Sequence, residues 1–187
     1  MTAPPLLKTC ALALDGTETP VRYGDVWRRE RTPGGERLVI GADAAHVEVI
    51  EALSHRWIAS HKILYVLVVP RGEAEWGRYE SPWISRDRAV EFLRRFERFL
   101  AHDARHNVWF AAPEEGVSLV WDRHDRIYAY GPLDAYEALL AVRGFRRGEP
   151  AIASPHSHYY HAENDDDARA LHAWWPWLRY DLQPDDE

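Results

Sequence analysis

The chain contains very little cysteine. Cys10 is the single cysteine among 187 residues, which excludes an intramolecular disulfide and a zinc site built from several thiolates. Alternation along a strand over residues 9–14 places the Cys10 thiol on the same side as Leu12 and Leu14. The sequence therefore predicts a core thiol and not a nucleophile.

Long apolar runs and lysines are also scarce. No segment approaches the roughly 18 uninterrupted apolar residues of a membrane-spanning helix, and residues 1–5 lack the basic and apolar parts of a secretory leader. We therefore expect a cytoplasmic protein without membrane association. Lys8 and Lys62 are the only lysines among 23 basic residues. That preference for arginine is typical of a GC-rich genome and points to a bacterial source.

Several familiar catalytic motifs are missing from the chain. It has no glycine-rich phosphate loop, no Gly-x-Ser-x-Gly elbow, no His-Glu-x-x-His pair and no EF-hand loop. The commonest nucleotide-dependent and hydrolytic chemistries therefore lose their sequence support, and no cofactor is firmly implied.

Negative charge is concentrated at one end of the protein. The formal net charge is −7, and residues 162–187 hold eight acidic and two basic residues, so this segment carries nearly all of the excess. This excess of acidic over basic residues argues against nucleic-acid binding, which needs a basic surface to contact phosphates. It favours a cationic protein partner for this end. Residues 182–187 are expected to form an acidic tail that could be flexible.

The hydrophobic periodicity predicts a single α+β domain over residues 1–187. We expect a mainly antiparallel sheet of about six to eight strands with three to four helices packed on it. A parallel crossover between residues 38 and 69 is an open alternative. Strands are predicted over residues 9–14, 21–28, 37–40, 62–69, 107–111, 117–121 and 126–130. Helices are predicted over residues 43–60, 85–100, 132–143 and from 165 onward.

A histidine-rich run is the strongest candidate site. His156, His158, His161 and Glu163 stand within eight residues, and imidazole and carboxylate groups suit a divalent transition metal. The spacing of His156, His158 and Glu163 resembles the first half of the cupin metal motif. The glycines and the second histidine motif of that family are absent, so we do not infer a cupin.

Strand alternation divides this run between two faces. In a regular strand, His156, His158 and Tyr160 share one face, while His161 and Glu163 lie on the other. A single site therefore needs either a bend in the strand near Tyr159 and Tyr160 or a carboxylate from elsewhere in the chain, for which Asp122 and Asp125 are available. Asp122 and His124, in a predicted turn, are the candidate acid or base from outside the run.

Two functions are compatible with these features. The first is a non-enzymatic binding protein, such as an immunity or antitoxin-type protein that neutralises a basic toxin; acidic groups would steer encounter and aromatic side chains would anchor the partner. The second is a metal-dependent hydrolase or oxygenase that uses the histidine cluster. Enzymatic activity is left open, with the balance against it. The candidate partner-binding residues are Trp174, Trp175, Trp177, Tyr159, Tyr160, Asp165, Asp166 and Asp167.

Overall fold

Buried and exposed side chains alternate along the strands, which is typical of a sheet covered on one face. In the strand His106–Ala112, for example, every second side chain from His106 onward is buried. The computed structural model describes residues 6–186, and this part of the chain forms two sheets and four helices. The strands are β1 (Thr9–Leu12), β2 (Glu18–Pro20), β3 (Val26–Thr32), β4 (Gly35–Gly41), β5 (Lys62–Leu67), β6 (Gly77–Glu80), β7 (His106–Ala112), β8 (Val117–Trp121), β9 (Arg126–Tyr130), β10 (Arg146–Arg147), β11 (His156–His158) and β12 (Leu178–Tyr180).

Nine of these strands form one large sheet in the order β10-β3-β4-β9-β8-β7-β5-β6-β12. The pair β10–β3 is parallel, and the other neighbouring pairs are antiparallel. A small antiparallel sheet has the order β11-β1-β2. The α+β class and the mainly antiparallel sheet are as predicted, although there are more strands than the six to eight expected. The alternative crossover does not form, because β4 pairs with β3 and β9 while β5 pairs with β6 and β7.

The helices are amphipathic. Their apolar faces pack on the covered face of the large sheet and form one hydrophobic core with it. At the start of α2 (Arg86–His102), the Ser85 hydroxyl accepts a hydrogen bond from the Arg88 amide, as expected for an N-cap. The helix α2 then buries an unbroken stripe that runs from Ala89 to Leu100. No helix within residues 6–186 has the length and apolar character needed to cross a bilayer. The helices are α1 (His46–Leu53), α2 (Arg86–His102), α3 (Leu133–Val142) and α4 (Asp165–His172).

The first helix is shorter than the predicted 43–60. The Asp43 carboxylate accepts hydrogen bonds from the backbone amides of Tyr23 and Gly24, at 2.6 and 2.9 Å, so it does not cap α1. Ala45 precedes the helix in a left-handed conformation with φ of 59°. Ile58, predicted on the apolar helical face, is instead 92% exposed. The pairing of Asp43 with residues 23 and 24 therefore removes the predicted cap, and the helix ends at Leu53, before the predicted apolar positions 57 and 58.

The N-terminal strands also differ from expectation. Residues 21–28 do not form one strand, because Gly24 and Asp25 both have positive φ values and break the extended backbone ahead of β3. Cys10 is buried, as predicted. Leu14, however, is fully exposed in the turn that follows β1.

Candidate metal site

The turn between β8 and β9 presents His124. Asp122 Oδ1 accepts hydrogen bonds from the amides of His124 and Arg126, at 2.9 and 2.8 Å. Asp125 completes the turn with φ of 65°, a conformation that aspartate tolerates better than most residues. These bonds hold the backbone on both sides of His124 in one arrangement.

Strand β11 supplies the other two histidines. It pairs antiparallel with β1, in the register Thr9 opposite His158 and Ala11 opposite His156. Because side chains alternate along a strand, His156 and His158 lie on the same face and Ser157 lies on the other. The small sheet thus points both imidazoles toward the β8–β9 turn.

The three imidazoles meet where the turn contacts β11. The ring centroids of His124 lie 5.2 Å from His156 and 4.7 Å from His158, and those of His156 and His158 lie 5.0 Å apart. One donor atom from each ring lies within 4.8 Å of the others. Ligands bonded to one zinc ion at about 2.1 Å stand roughly 3.4 Å apart in a tetrahedron. Closing the site around an ion therefore requires movements of about 1 Å.

Hydrogen bonds set the orientation of two of these rings. His156 Nδ1 lies 2.9 Å from the Ala153 carbonyl oxygen, which can only accept, so this contact selects the tautomer that carries its proton on Nδ1 and its lone pair on Nε2. His124 Nδ1 lies 3.4 Å from Asp122 Oδ2. His158 Nε2 is buried and has no hydrogen-bond partner among the residues that the structure describes. Metal-binding histidines are commonly held by such carbonyl and carboxylate partners.

Asp122 holds His124 and does not belong to the set of converging donors. Its Oδ2 accepts hydrogen bonds from Arg126 at 3.0 Å and from the Tyr128 hydroxyl at 3.3 Å. Burial by itself would raise the pKa of Asp122, but the hydrogen bond from His124 and the charge of Arg126 outweigh it and lower the pKa to about 2. Asp122 is therefore a carboxylate at neutral pH.

The environment keeps His158 uncharged. Burial, followed by the nearby positive charge of Arg123, lowers the pKa of His158 to about 3. A neutral imidazole is the form that binds a metal ion, because the ion and a proton compete for the same lone pair.

Lys8 fastens the histidine-bearing turn to the rest of the protein. Its buried ammonium donates to Asp125 Oδ1 at 3.0 Å and to the carbonyls of Asp122 and Leu100, at 3.1 and 2.9 Å. The ammonium also lies 4.8 Å from the ring centroid of Trp121. Sequence reasoning missed this role, since nothing in the pattern around Lys8 marks a lysine that becomes buried.

Two members of the histidine-rich run lie outside this group. His161 Nε2 lies 2.7 Å from the Leu7 carbonyl, and its amide donates to Asp103 at 2.9 Å. Glu163 is exposed in a short 3-10 turn over Ala162–Asn164. Neither residue joins the converging donors. The chain leaves β11 after His158, and the structure thus brings together His124, His156 and His158, with Asp122 beside them.

The two tyrosines of the run have separate surroundings. Tyr160 Oη accepts a hydrogen bond from Arg123 Nη2 at 2.8 Å, beside the histidine group. Tyr159 donates its hydroxyl proton to Glu18.

The predicted partner-binding tryptophans pack against α2. Trp175 stacks on Phe92 with ring centroids 4.7 Å apart, and Trp177 meets the edge of the same ring at 5.8 Å. Trp174 contacts Phe96 at 5.4 Å. All three are partly buried in the core. These rings therefore leave only part of their surface for a partner.

Several acidic residues of the C-terminal segment form ion pairs with arginines of the same chain. Asp165 lies 3.1 Å from Arg71 and 3.0 Å from Arg105, and Asp167 lies 3.1 Å from Arg95. Asp166 pairs with Arg169 along α4. In the predicted tail, residues 184–186 form a 3-10 turn in which Asp186 is buried. Glu187 lies outside the described residues.

An open cavity of about 640 Å³ adjoins the histidine group on the uncovered face of the large sheet. Arg123 and His124 form part of its wall, together with Asp122 and side chains from β7, β8 and β9. A molecule in this cavity therefore reaches the turn that carries His124. Comparisons with protein-family models, with curated proteins and with solved structures found no match to this chain. The function is accordingly inferred from the geometry of the site.

Proposed function

We propose that the protein binds a divalent transition-metal ion through His124, His156 and His158 and uses it for hydrolysis. The observation that carries the proposal is the convergence of three imidazole donors within 4.8 Å, two of them held by hydrogen bonds and one, His158 Nε2, without a partner in residues 6–186. Three histidines with an open fourth position are a recurrent arrangement of catalytic zinc. A zinc-bound water in such a site has a pKa of about 7 and is a nucleophile at neutral pH.

The donor set favours hydrolysis over oxygenation. Non-haem iron oxygenases commonly use two histidines and one carboxylate. Here the third donor is His124, and the nearest carboxylate, that of Asp122, is occupied by Arg126, Tyr128 and the turn backbone. An all-imidazole set suits zinc, which needs no redox chemistry.

Metal binding is tested on protein purified without a histidine tag. After dialysis against zinc and removal of free ion, we expect one zinc ion per chain by elemental analysis and a higher melting temperature than in the metal-free protein. His158→Ala should abolish both effects. His161→Ala is the matched control and should keep both, because His161 lies outside the donor set. Equal zinc content in wild type and His158→Ala would refute the assignment.

Hydrolysis is tested separately from binding. Zinc-loaded protein should cleave 4-nitrophenyl acetate at a rate proportional to the bound zinc, with no turnover by His158→Ala. If the wild-type protein holds stoichiometric zinc but cleaves the ester no faster than His158→Ala, the proposed hydrolysis is refuted and only metal binding stands.

The second candidate function is binding of a protein partner, as in an immunity-type protein that neutralises a toxin. It is favoured by an apolar patch at the β6–β12 edge of the large sheet, where Trp76, Leu178 and Tyr180 are 64%, 55% and 50% exposed. Exposed aromatic side chains at a sheet edge are suited to anchoring another chain. The acidic residues of α4 support this function less, since Asp165 and Asp167 are already paired with arginines.

This second function is tested with the product of the adjacent gene. Co-expression and size-exclusion chromatography should yield a stable complex, and the double variant Trp76→Ala, Tyr180→Ala should weaken it. Val142→Ala removes an exposed apolar side chain from the end of α3 and serves as the control. A basic neighbour that elutes separately from the wild-type protein would speak against the function.

A further inference from the structure

The positive charge of Arg123 is not paired directly with any carboxylate of residues 6–186. To acceptors in the described part of the chain, its guanidinium makes one hydrogen bond, from Nη2 to the Tyr160 hydroxyl at 2.8 Å. Nε is buried and has no partner, and Nη1 donates to no acceptor within residues 6–186. No carboxylate in that part of the chain lies within 4 Å of the group. A half-buried guanidinium in this state has hydrogen-bonding capacity for an added anion.

The backbone of Arg123 is held firmly beside the metal site. Its amide donates to Asn107 Oδ1 at 2.8 Å, and its carbonyl accepts from Thr9 Oγ1 at 3.2 Å. His124 is the next residue in the chain, and Tyr160, which orients the guanidinium, lies two residues after His158. The side chain is therefore positioned by the same turn and strand that assemble the histidines.

The other arginines of the cavity are already paired. Arg126 lies 3.0 Å from Asp122, and Arg37 donates from Nε to Glu30 at 2.6 Å. Two further carboxylates line the cavity, at Asp185 and Asp186. Asp186 is buried and faces Arg78 at 3.7 Å. Arg123 is thus the cation of the cavity wall best placed to receive a ligand next to the histidines.

We propose that the cavity takes a substrate with an oxyanionic group, a phosphate or a carboxylate, that Arg123 binds next to the three-histidine site. Arginine recognises both groups through paired, charge-assisted hydrogen bonds. This inference rests on the proposed metal site: Arg123 would hold the anion while a neighbouring bond of the same molecule faces the metal-bound water. The protein would then select small anionic esters or amides over neutral ones.

Cobalt provides a spectroscopic test of this proposal. The metal-free protein is loaded with Co²⁺, whose visible absorption reports its ligands, and is then titrated with methylphosphonate or with acetate. We expect each anion to change the cobalt spectrum at saturation, and the two titrations separate a phosphate-type ligand from a carboxylate. Arg123→Gln should weaken the anion that binds best by about 10- to 100-fold, the usual effect of losing hydrogen bonds to a charged group.

Variants distinguish failure of the anion site from failure of the metal site. Arg123→Gln should bind Co²⁺ as tightly as wild type, and Arg123→Lys should recover part of the anion affinity. Arg143→Gln removes an exposed arginine at the end of α3 and is the control for net charge. If cobalt binds normally but neither anion alters its spectrum, or Arg123→Gln changes nothing, the anion site is overturned and the metal site stands. If wild type binds no cobalt, both are overturned.

Discussion

Lys8 Nζ lies 3.0 Å from Asp125 Oδ1, and the Lys8 side chain is 2% exposed. This ion pair joins the segment leading into β1 to the turn between β8 and β9, 117 residues away along the chain. Because β11 pairs with β1 and His124 lies in that turn, the same contact region assembles all three histidines. Stability and metal binding are therefore expected to depend on a residue that touches no metal ion.

Replacement of Lys8 tests this connection. Lys8→Met removes three hydrogen bonds and leaves the Asp125 carboxylate without its cation, so we expect the free energy of unfolding to fall by about 3–5 kcal/mol. Zinc affinity should fall with it, since the turn is held less firmly. Urea denaturation and zinc titration measure the two effects. Lys62→Met alters the partly exposed pair with Glu80 and should cost much less, while leaving zinc affinity unchanged. Comparable losses in both variants would contradict the prediction.

Asp122 is expected to tune the metal site through His124. Asp122→Asn keeps the size of the side chain but removes the charge that faces His124 Nδ1. Such changes next to a metal-binding histidine typically lower metal affinity about 10- to 100-fold. Competition titration with a zinc chelator, performed where both proteins are folded, gives the value. Asp134→Asn, at an exposed position on α3, should not change the affinity; an unaltered affinity in Asp122→Asn would rule out the role of Asp122.

Buried His106 predicts that acid destabilises the fold. The ring packs between Tyr65 and Phe99, at centroid distances of 5.2 and 4.8 Å. Burial, assisted by the charges of Lys8 and Arg105, lowers the pKa of His106 well below 6.5. Below pH 6.5 His106 is therefore protonated in the unfolded chain but not in the folded protein. The free energy of unfolding consequently falls as the pH decreases toward the folded-state pKa. Above pH 6.5 this histidine makes no pH-dependent contribution.

The slope of stability against pH measures this effect. Each such histidine adds about 1.4 kcal/mol per pH unit once the unfolded state is protonated. Between pH 5 and 6, His106→Leu should reduce the slope by about that amount. Phe99→Leu perturbs the same packing without removing a histidine, so it should lower stability equally at every pH. An unchanged slope in His106→Leu would show that this ring is not the source.

Arg105 is expected to hold the segment that follows β11. Its fully buried guanidinium lies 2.9 Å from Asp103, 3.0 Å from Glu73 and 3.0 Å from Asp165, and it donates to the His161 carbonyl at 3.1 Å. Arg105→Met would leave buried carboxylates without their cation, so a loss of about 3–5 kcal/mol is expected in chemical denaturation. Arg169→Met, which removes an exposed arginine, should change stability by less than about 0.5 kcal/mol. A small effect of Arg105→Met would indicate that water compensates the carboxylates.

Much of the fold could be predicted from local patterns. The helix α2 has an apolar stripe and a serine cap, and the meander β7-β8-β9 has alternating strands separated by turn residues, so both were predictable from the sequence. A helix was predictable around α1 but its bounds were not, because Asp43 bonds to the backbone of residues 23 and 24 instead of capping the helix, which ends at Leu53. Such pairing leaves no periodic trace in the sequence.

The candidate metal site was also only partly predictable from the sequence. Strand alternation indicated that His156 and His158 share a face, and that His161 and Glu163 do not join it. The sequence left two routes to a single site open, a bend in the strand or a carboxylate from elsewhere, and it indicated His124 only as an acid or base. It did not indicate that His124 itself would stand beside the pair, nor that Arg123 would be left without a carboxylate.

Local sequence is enough to specify the amphipathic elements, the turn at Asp122–Asp125 and the common face of His156 and His158, because each depends on neighbours a few residues away. Tertiary packing selects which of these elements meet. The β1–β11 pairing and the buried Lys8–Asp125 contact bring His124 to the two strand histidines, although they are distant along the chain. Contacts of that kind depend on how the sheets pack, which local periodicity does not encode.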